Sequence, residues 1–221
     1  TNKAQDGWQA PHTIIQISHD DIPFLVDSIR MVLNRYHYEI HFIIHFGGLK
    51  VERDKKNKIT NILATNEESK SANTEAPIYI EIDYIAEENV LEQLKQDIKT
   101  VLIDVRLAVA DWRKMVDEVK ECLQELEKNP PNVDSAELAE SKDFLSWLMN
   151  NNFTFLGARD YKLIGNDTNR ALQLVPGSGL GVLRSDSSTA VSKSYAELPP
   201  QARKMALSKN ILIIAKTNTK S

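Results

Sequence analysis

The chain has 221 residues, with 27 Lys and Arg against 31 Asp and Glu, a formal net charge of -4 and a single cysteine. Hydrophobic residues at 42% and charged residues at 26% are ordinary globular usage, which excludes global disorder. The lone Cys122 excludes an intramolecular disulfide or a Cys-rich zinc site, and the acidic balance argues against nucleic acid as a partner.

No apolar run approaches the roughly 18 residues of a membrane span, and the opening residues carry no signal-peptide pattern. A cytoplasmic protein with no membrane partner is expected. The start at Thr1 and the stop at Ser221, just after an apolar run, read as a segment of something longer.

His12 to Ser18 (HTIIQIS) is β-branched and predicts a strand. Asp20 or Asp21 can cap the helix that follows, with Pro23 in its first turn and Phe24, Leu25, Ile29, Val32 and Leu33 as its apolar stripe. Tyr38 to Phe46 alternates strictly. Tyr38, Ile40, Phe42, Ile44 and Phe46 take one face; His37, Glu39, His41, Ile43 and His45 take the other, a wet or interface face. Gly47 and Gly48 bend the chain into Leu49–Asp54, and Asp54–Lys58 reads as a solvated turn. Asn66 to Glu75 is polar and reads as mobile. Ile78 to Tyr84 is the next strand, with Ile78, Ile80, Ile82 and Tyr84 inward.

Residues 86–127 hold no Gly and no Pro. Leu91, Leu94, Ile98, Val101, Val105, Ala108, Trp112, Met115, Val119, Cys122 and Leu126 form a heptad seam. One helix here would run about 60 Å at 1.5 Å per residue. A break near Asp104–Asp111 into two helices is the alternative. The order β-α-β-β-α predicts an α+β fold: a ferredoxin-like sandwich with a long second helix. A small sheet covers only the first turns of that helix. The seam from Val105 to Met115, Trp112 included, is therefore expected to pack on the 135–150 helix, and the face bearing His41 and His45 on a second subunit.

Residues 129–134 form a linker around Pro130-Pro131, after which Asp134 with Glu137 caps a helix carrying Leu138, Phe144, Leu145, Trp147 and Leu148. Strands are predicted over 153–164, 171–175 and 181–184, a loop over 185–194, a short helix from Pro199 or Pro200 to Lys209, and a last strand over 210–216.

Chemistry is sparse. His37, His41 and His45 sit about 13 Å apart in succession along a strand, too far to share one metal. His19, Asp20 and Asp21 could form an acid/base cluster, but their spacing suits a helix cap better. Cys122 on the seam reads as a buried inert thiol. Gly177, Gly179 and Gly181 give G-x-G-x-G, a turn rather than a dinucleotide loop, because strand and not helix follows. The loop Ser18–Pro23 is where a helix N-terminus could meet an anion.

Several stretches together resemble the N-terminal region of the large bacterial NAD-specific glutamate dehydrogenases. They are Gly7-Trp8, Pro11-His12-Thr13, Asp20-Asp21-Ile22-Pro23-Phe24-Leu25-Val26-Asp27-Ser28, Ile40 to His45, Ile80-Glu81-Ile82-Asp83, Asp104-Val105-Arg106, Asp111-Trp112, Phe153 to Gly157 and Val175-Pro176-Gly177-Ser178-Gly179-Leu180-Gly181. The resemblance implies an ACT-like domain over 1–128, the linker 129–134, and a partial α/β module of PAS type over 135–221. It implies a non-catalytic regulatory and assembly segment of an NAD-dependent enzyme that deaminates L-glutamate. The catalytic lysines and the NAD fold of that family match no position here, so no catalytic, cofactor or metal residue is carried over. Implied partners are a homo-oligomer, a downstream catalytic domain and an amino-acid effector. The effector loop would be Ser18, His19, Asp20, Asp21 and Phe24. Phe24 stands where the ACT pattern has glycine, and its ring obstructs close backbone approach. The interface residues expected from the strand face and the helix seam are His41, His45 and Trp112. An amino-acid-sensing module and a purely structural scaffold are the alternatives.

Overall fold

A computed structural model describes residues 7–64, 66–165, 171–184, 199–206, 211, 212 and 214. The chain divides into two compact units, residues 1–106 and 107–220. The division falls inside the long helix and not at the expected 129–134 linker.

In the first unit β1 (Thr13–Ile17), β2 (Ile40–His45) and β6 (Ile78–Ile82) form an antiparallel sheet in the order β1-β6-β2. Ile15 pairs with Ile80 and Ile17 with Ile78, so one face is a block of isoleucine. Ile78, Ile80 and Ile82 are buried, together with Leu25, Ile29, Val32 and Leu33 of α1 (Leu25–Arg35). The first half of α2 (Glu88–Lys128) adds Leu94, Ile98, Leu102 and Val105. This is a mixed α/β unit built on a small antiparallel sheet, compatible with the expected ACT-like domain. Tyr84, expected inside, is exposed.

A second antiparallel sheet went unforeseen. β3 (Leu49–Arg53) lies between β4 (Ile59–Ile62) and β5 (Ala72–Glu75) in the order β4-β3-β5. The Asp54–Lys58 turn closes its hairpin, where the Asp54 carboxylate accepts from the Lys56 and Lys58 amides at 2.9 Å. The segment expected to be mobile thus contains a strand.

The strict alternation of β2 is broken. The pairing with β6 shifts register between Ile40 and Phe42, a β-bulge at His41. Ile40 opposes Ile82 and Ile43 opposes Ile80, while Phe42 and Ile44 oppose Glu81 and Tyr79 on the outer face. Phe42, Ile44 and Phe46, expected inside, are each about half exposed at 50%, 48% and 59%.

α2 is one helix of 41 residues, without the break near Asp104–Asp111. In the second unit its buried residues are Ala108, Asp111 and Met115, with Asp111 1% exposed, while Trp112 is 41% exposed. Cys122, expected buried, is exposed. α3 (Ser135–Trp147) starts as expected, with the Asp134 carboxylate accepting from the Ala136 amide at 2.8 Å. The strand expected over 153–164 is split into β7 (Gly157–Ala158) and β8 (Tyr161–Ile164), paired with β10 (Leu180–Gly181) and β9 (Ala171–Leu174) respectively. α4 spans Pro200–Ala206. The loop expected over 185–194 lies outside the described residues, as do residues 207–209 and most of the strand expected over 210–216. Among the described residues no helix is long and apolar enough to cross a membrane.

Candidate functional site

The loop from Ser18 to Phe24 is built into the fold through β5. The Asp21 amide donates to the Thr74 carbonyl at 3.0 Å, the His19 carbonyl accepts from the Ala76 amide at 2.8 Å, and Asp20 bridges Glu75. Ser18 Oγ donates to Glu75 Oε2 at 2.7 Å. Arg53 holds the same carboxylate from its other side, Nε to Oε1 at 2.6 Å and an Nη to Oε2 at 2.7 Å. The Arg53 guanidinium, with help from Ser18 and against the penalty of burial, lowers the Glu75 carboxyl to about 2.

The expected helix cap is absent. α1 opens on Phe24, whose backbone is left-handed at φ 71 and which makes no side-chain cap. Asp20 pairs instead with Arg106 at 3.0 Å. Asp21 Oδ2 accepts from the Gly48 amide at 2.8 Å. These aspartates hold loops and helix together; they do not cap. His19 Nδ1 donates to the Asp20 carbonyl at 2.9 Å and its Nε2 faces an Arg106 Nη at 3.3 Å. With an arginine donor there, His19 is the Nδ1–H tautomer. His19 is thus bonded to a backbone carbonyl and an arginine rather than to a hydroxyl or thiol.

An open cavity of about 470 Å3 lies at the start of α1, lined by residues 21–27 and His45. Asp21, Asp27 and His45 are the ionisable residues of its lining. The Phe24 ring is 51% exposed at its mouth. The left-handed backbone accounts for glycine at this position of the ACT pattern, since glycine alone adopts it without strain.

His41 and His45 part company at the bulge. His45 takes the position opposite Ile78, beside the cavity. His41 bonds Asp83 at 2.8 Å and stacks on His12, centroids 4.2 Å apart, while His12 bonds Glu81 at 2.9 Å. His12, then Tyr79, hold the Glu81 carboxyl below its usual range; the Glu39 amide, then His41, do the same for Asp83. The expected common interface face of His41 and His45 is therefore not formed. Glu39, His41 and Asp83 bring one ligand atom each within 4.8 Å of one another, the arrangement best able to hold a cation among the described residues.

In the second unit Asp111 Oδ2 accepts from the Gly181 amide and Arg184 Nε, both at 2.9 Å, and pairs with an Arg184 Nη at 2.6 Å. Arg184 foremost lowers the Asp111 carboxyl. Gly181 has φ +59, and a Cβ there would collide with the Leu156 carbonyl. The G-x-G-x-G run is a tight turn bound to helix α2, as the turn reading expected.

Residues 1–98 match the family described as glutamate dehydrogenase, ACT1 domain. This stretch belongs to that family. The NAD-specific glutamate dehydrogenase of Halomonas elongata is 37% identical over 183 residues, 82% of this chain and 11% of its own length. That of Pseudomonas aeruginosa is 40% identical over 157 residues, 71% of this chain and 10% of its own. The chain spans about a tenth of the length of these curated relatives. The longer match runs past the ACT1 region into the second unit.

Arg53, Glu75, Arg106, Asp111 and Arg184 carry the polar framework and were missed as site residues. Only Asp111 left a sequence signal: it fits the α2 seam as well as Trp112 does, lying three residues after Ala108 and four before Met115.

Proposed function

We propose that this chain is a non-catalytic regulatory and assembly segment of an NAD-dependent glutamate dehydrogenase. The observation that carries the reading is the ACT1 match over residues 1–98. The enzyme would convert L-glutamate, NAD and water to 2-oxoglutarate, ammonia and NADH in the cytoplasm, with NAD held by a catalytic region of the same protein. The role of the segment would be to join copies and to pass an effector signal to that region. The second unit, with its paired short strands after α3, is read as the start of a PAS-type module. The test is twofold. The purified chain should make no NADH from glutamate and NAD. The full-length enzyme without these 221 residues should keep its chemistry but change its mass or its response to amino acids. NADH formation by the chain, or a deletion that alters neither property, overturns the reading.

The cavity beside α1 supports a second reading, an amino-acid site. An effector carboxylate would meet the uncapped first-turn amides, and its ammonium Asp21 or Asp27. Calorimetry with glutamate and other amino acids tests this. Saturable binding tighter than about 1 mM, or 4.1 kcal/mol, that is lost in Asp27→Asn supports it; no saturable heat overturns it.

A further inference from the structure

Two carboxylates face each other where β2 begins and β6 ends. Ile40 pairs with Ile82, which sets Glu39 opposite Asp83. The Asp83 amide donates to the Glu39 carbonyl at 3.3 Å, and the Glu39 amide donates to Asp83 Oδ2 at 2.9 Å. Like charges directly opposite across two strands are destabilising. Among the described residues no lysine or arginine pairs with either carboxylate. The group beside them is a histidine instead: His41 Nε2 lies 2.8 Å from Asp83 Oδ1.

That ring is held in place before any ligand arrives. The register shift between Ile40 and Phe42 leaves His41 as the extra residue of the bulge, and a bulge re-aims the side chain it carries. His12, bonded to Glu81 at 2.9 Å, stacks on the His41 ring with centroids 4.2 Å and planes 14° apart. One face of the ring is thus covered while its edge meets Asp83. A histidine fixed by its surroundings in this way is pre-organised as a metal ligand.

One imidazole nitrogen and one oxygen from each carboxylate lie within 4.8 Å of one another. Ligand atoms at 2.0–2.2 Å from a tetrahedral ion stand about 3.3 Å apart. The His41–Asp83 pair therefore needs to open by only about half an ångström, and the exposed Glu39 side chain can turn in from solvent. A divalent cation then takes the place of the proton between His41 and Asp83 and neutralises the opposed carboxylates. The imidazole disfavours Mg2+ and Ca2+, and the lack of sulfur in the set disfavours Cu(I).

We propose that Glu39, His41 and Asp83 form a site for a divalent cation of the zinc class, with its fourth position open to solvent, that ties the start of β2 to the end of β6. The site stands apart from the proposed regulatory role and does not rest on it. Calorimetry on the untagged chain tests it, with Zn2+ as the probe and Mg2+ at the same concentrations as the control. Zn2+ should bind saturably with a Kd below about 100 μM, and Mg2+ should give no saturable heat. The amides of Glu39, His41 and Asp83 should shift in NMR spectra as Zn2+ is added. His41→Ala and Glu39→Ala should each weaken Zn2+ binding by at least roughly 10-fold, with unchanged circular dichroism. His45→Gln, about 13 Å further along the strand, should keep the wild-type Kd. Glu39 is exposed, so Glu39→Ala decides the matter if His41→Ala fails to fold. The proposal is overturned by the absence of saturable Zn2+ binding or by equal binding of Mg2+. A Kd that Glu39→Ala leaves unchanged, or that His45→Gln raises as far, overturns it too.

Discussion

Arg53 grips both oxygens of Glu75, at 2.6 and 2.7 Å, between two paired strands of the second sheet, and Ser18 reaches the same carboxylate from the loop. Both side chains are largely out of solvent, 19% and 8% exposed. Two-point geometry of this kind is what an arginine fork supplies and a lysine does not. Arg53→Ala leaves a buried carboxylate with only Ser18 and should cost about 3 kcal/mol, read as a shifted urea midpoint at pH 7. Glu75→Gln keeps the shape and should cost less.

The same pair sets an acid limb. Glu75 titrates near 2 in the fold, against 4.5 for an ordinary glutamate. A lowered value means that folding favours the ionised form. The contribution is complete above pH 4.5, and is lost as pH falls toward 2. In Glu75→Gln, urea unfolding between those limits should fall off less steeply than in the wild type. Parallel slopes would assign the acid sensitivity to other carboxylates.

Phe24 holds a left-handed backbone at φ 71 with its ring half exposed. Phe24→Ala and Phe24→Gly lose the same ring, but only glycine is relieved of the strain. Phe24→Gly should therefore be the more stable of the two by about 1 kcal/mol, reversing the usual order of alanine over glycine. Thermal unfolding of the pair measures this.

What the sequence discloses follows from periodicity. β1, α1, β6 and α2 each bury one clear face, so apolar spacing alone locates them. β4 and β5 bury almost nothing; they are held by backbone pairing to β3, and backbone pairing leaves no mark on residues such as Asn73 and Thr74. The β2 error has one cause. An extra residue at His41 turns the strand over, and everything from Phe42 onward changes face. The polar framework was hidden for another reason: Arg53 and Glu75 are 22 residues apart, and Asp111 and Arg184 73 apart, so only the fold introduces them. The loop itself was found, but its aspartates bond to Arg106 and Gly48, partners that no local spacing reveals.

Cys122 is exposed, yet its thiol is raised above the ordinary value by surrounding protein first, then by Glu118, Asp160 and Glu121. The thiolate is the nucleophile, so alkylation should be slow despite access. The rate with iodoacetamide should climb with pH past the midpoint of a free cysteine. Glu118→Gln removes a negative neighbour and should speed the reaction at pH 8. An unchanged rate would assign the raised value to desolvation alone.

Asp111 and Trp112 are adjacent on α2 and make opposed predictions. Hydropathy puts Trp112 in the core, where a charge would be ruinous. The fold puts Asp111 there, 1% exposed, with its carboxylate joined to Arg184 and to the Gly181 amide, while Trp112 reaches solvent. Asp111→Ala strands a buried amide and loosens a guanidinium, and should cost about 3 kcal/mol. The turn at Gly179–Gly181 should loosen with it, since the Gly181 amide donates to that carboxylate. Trp112→Glu lets its new charge reach water and should cost only about 1 kcal/mol, from lost packing. Urea unfolding of the two variants, with hydrogen exchange at Gly181, decides between them. If Trp112→Glu is the more damaging, the hydropathic seam governs this stretch of the helix and the Asp111 anchor is secondary.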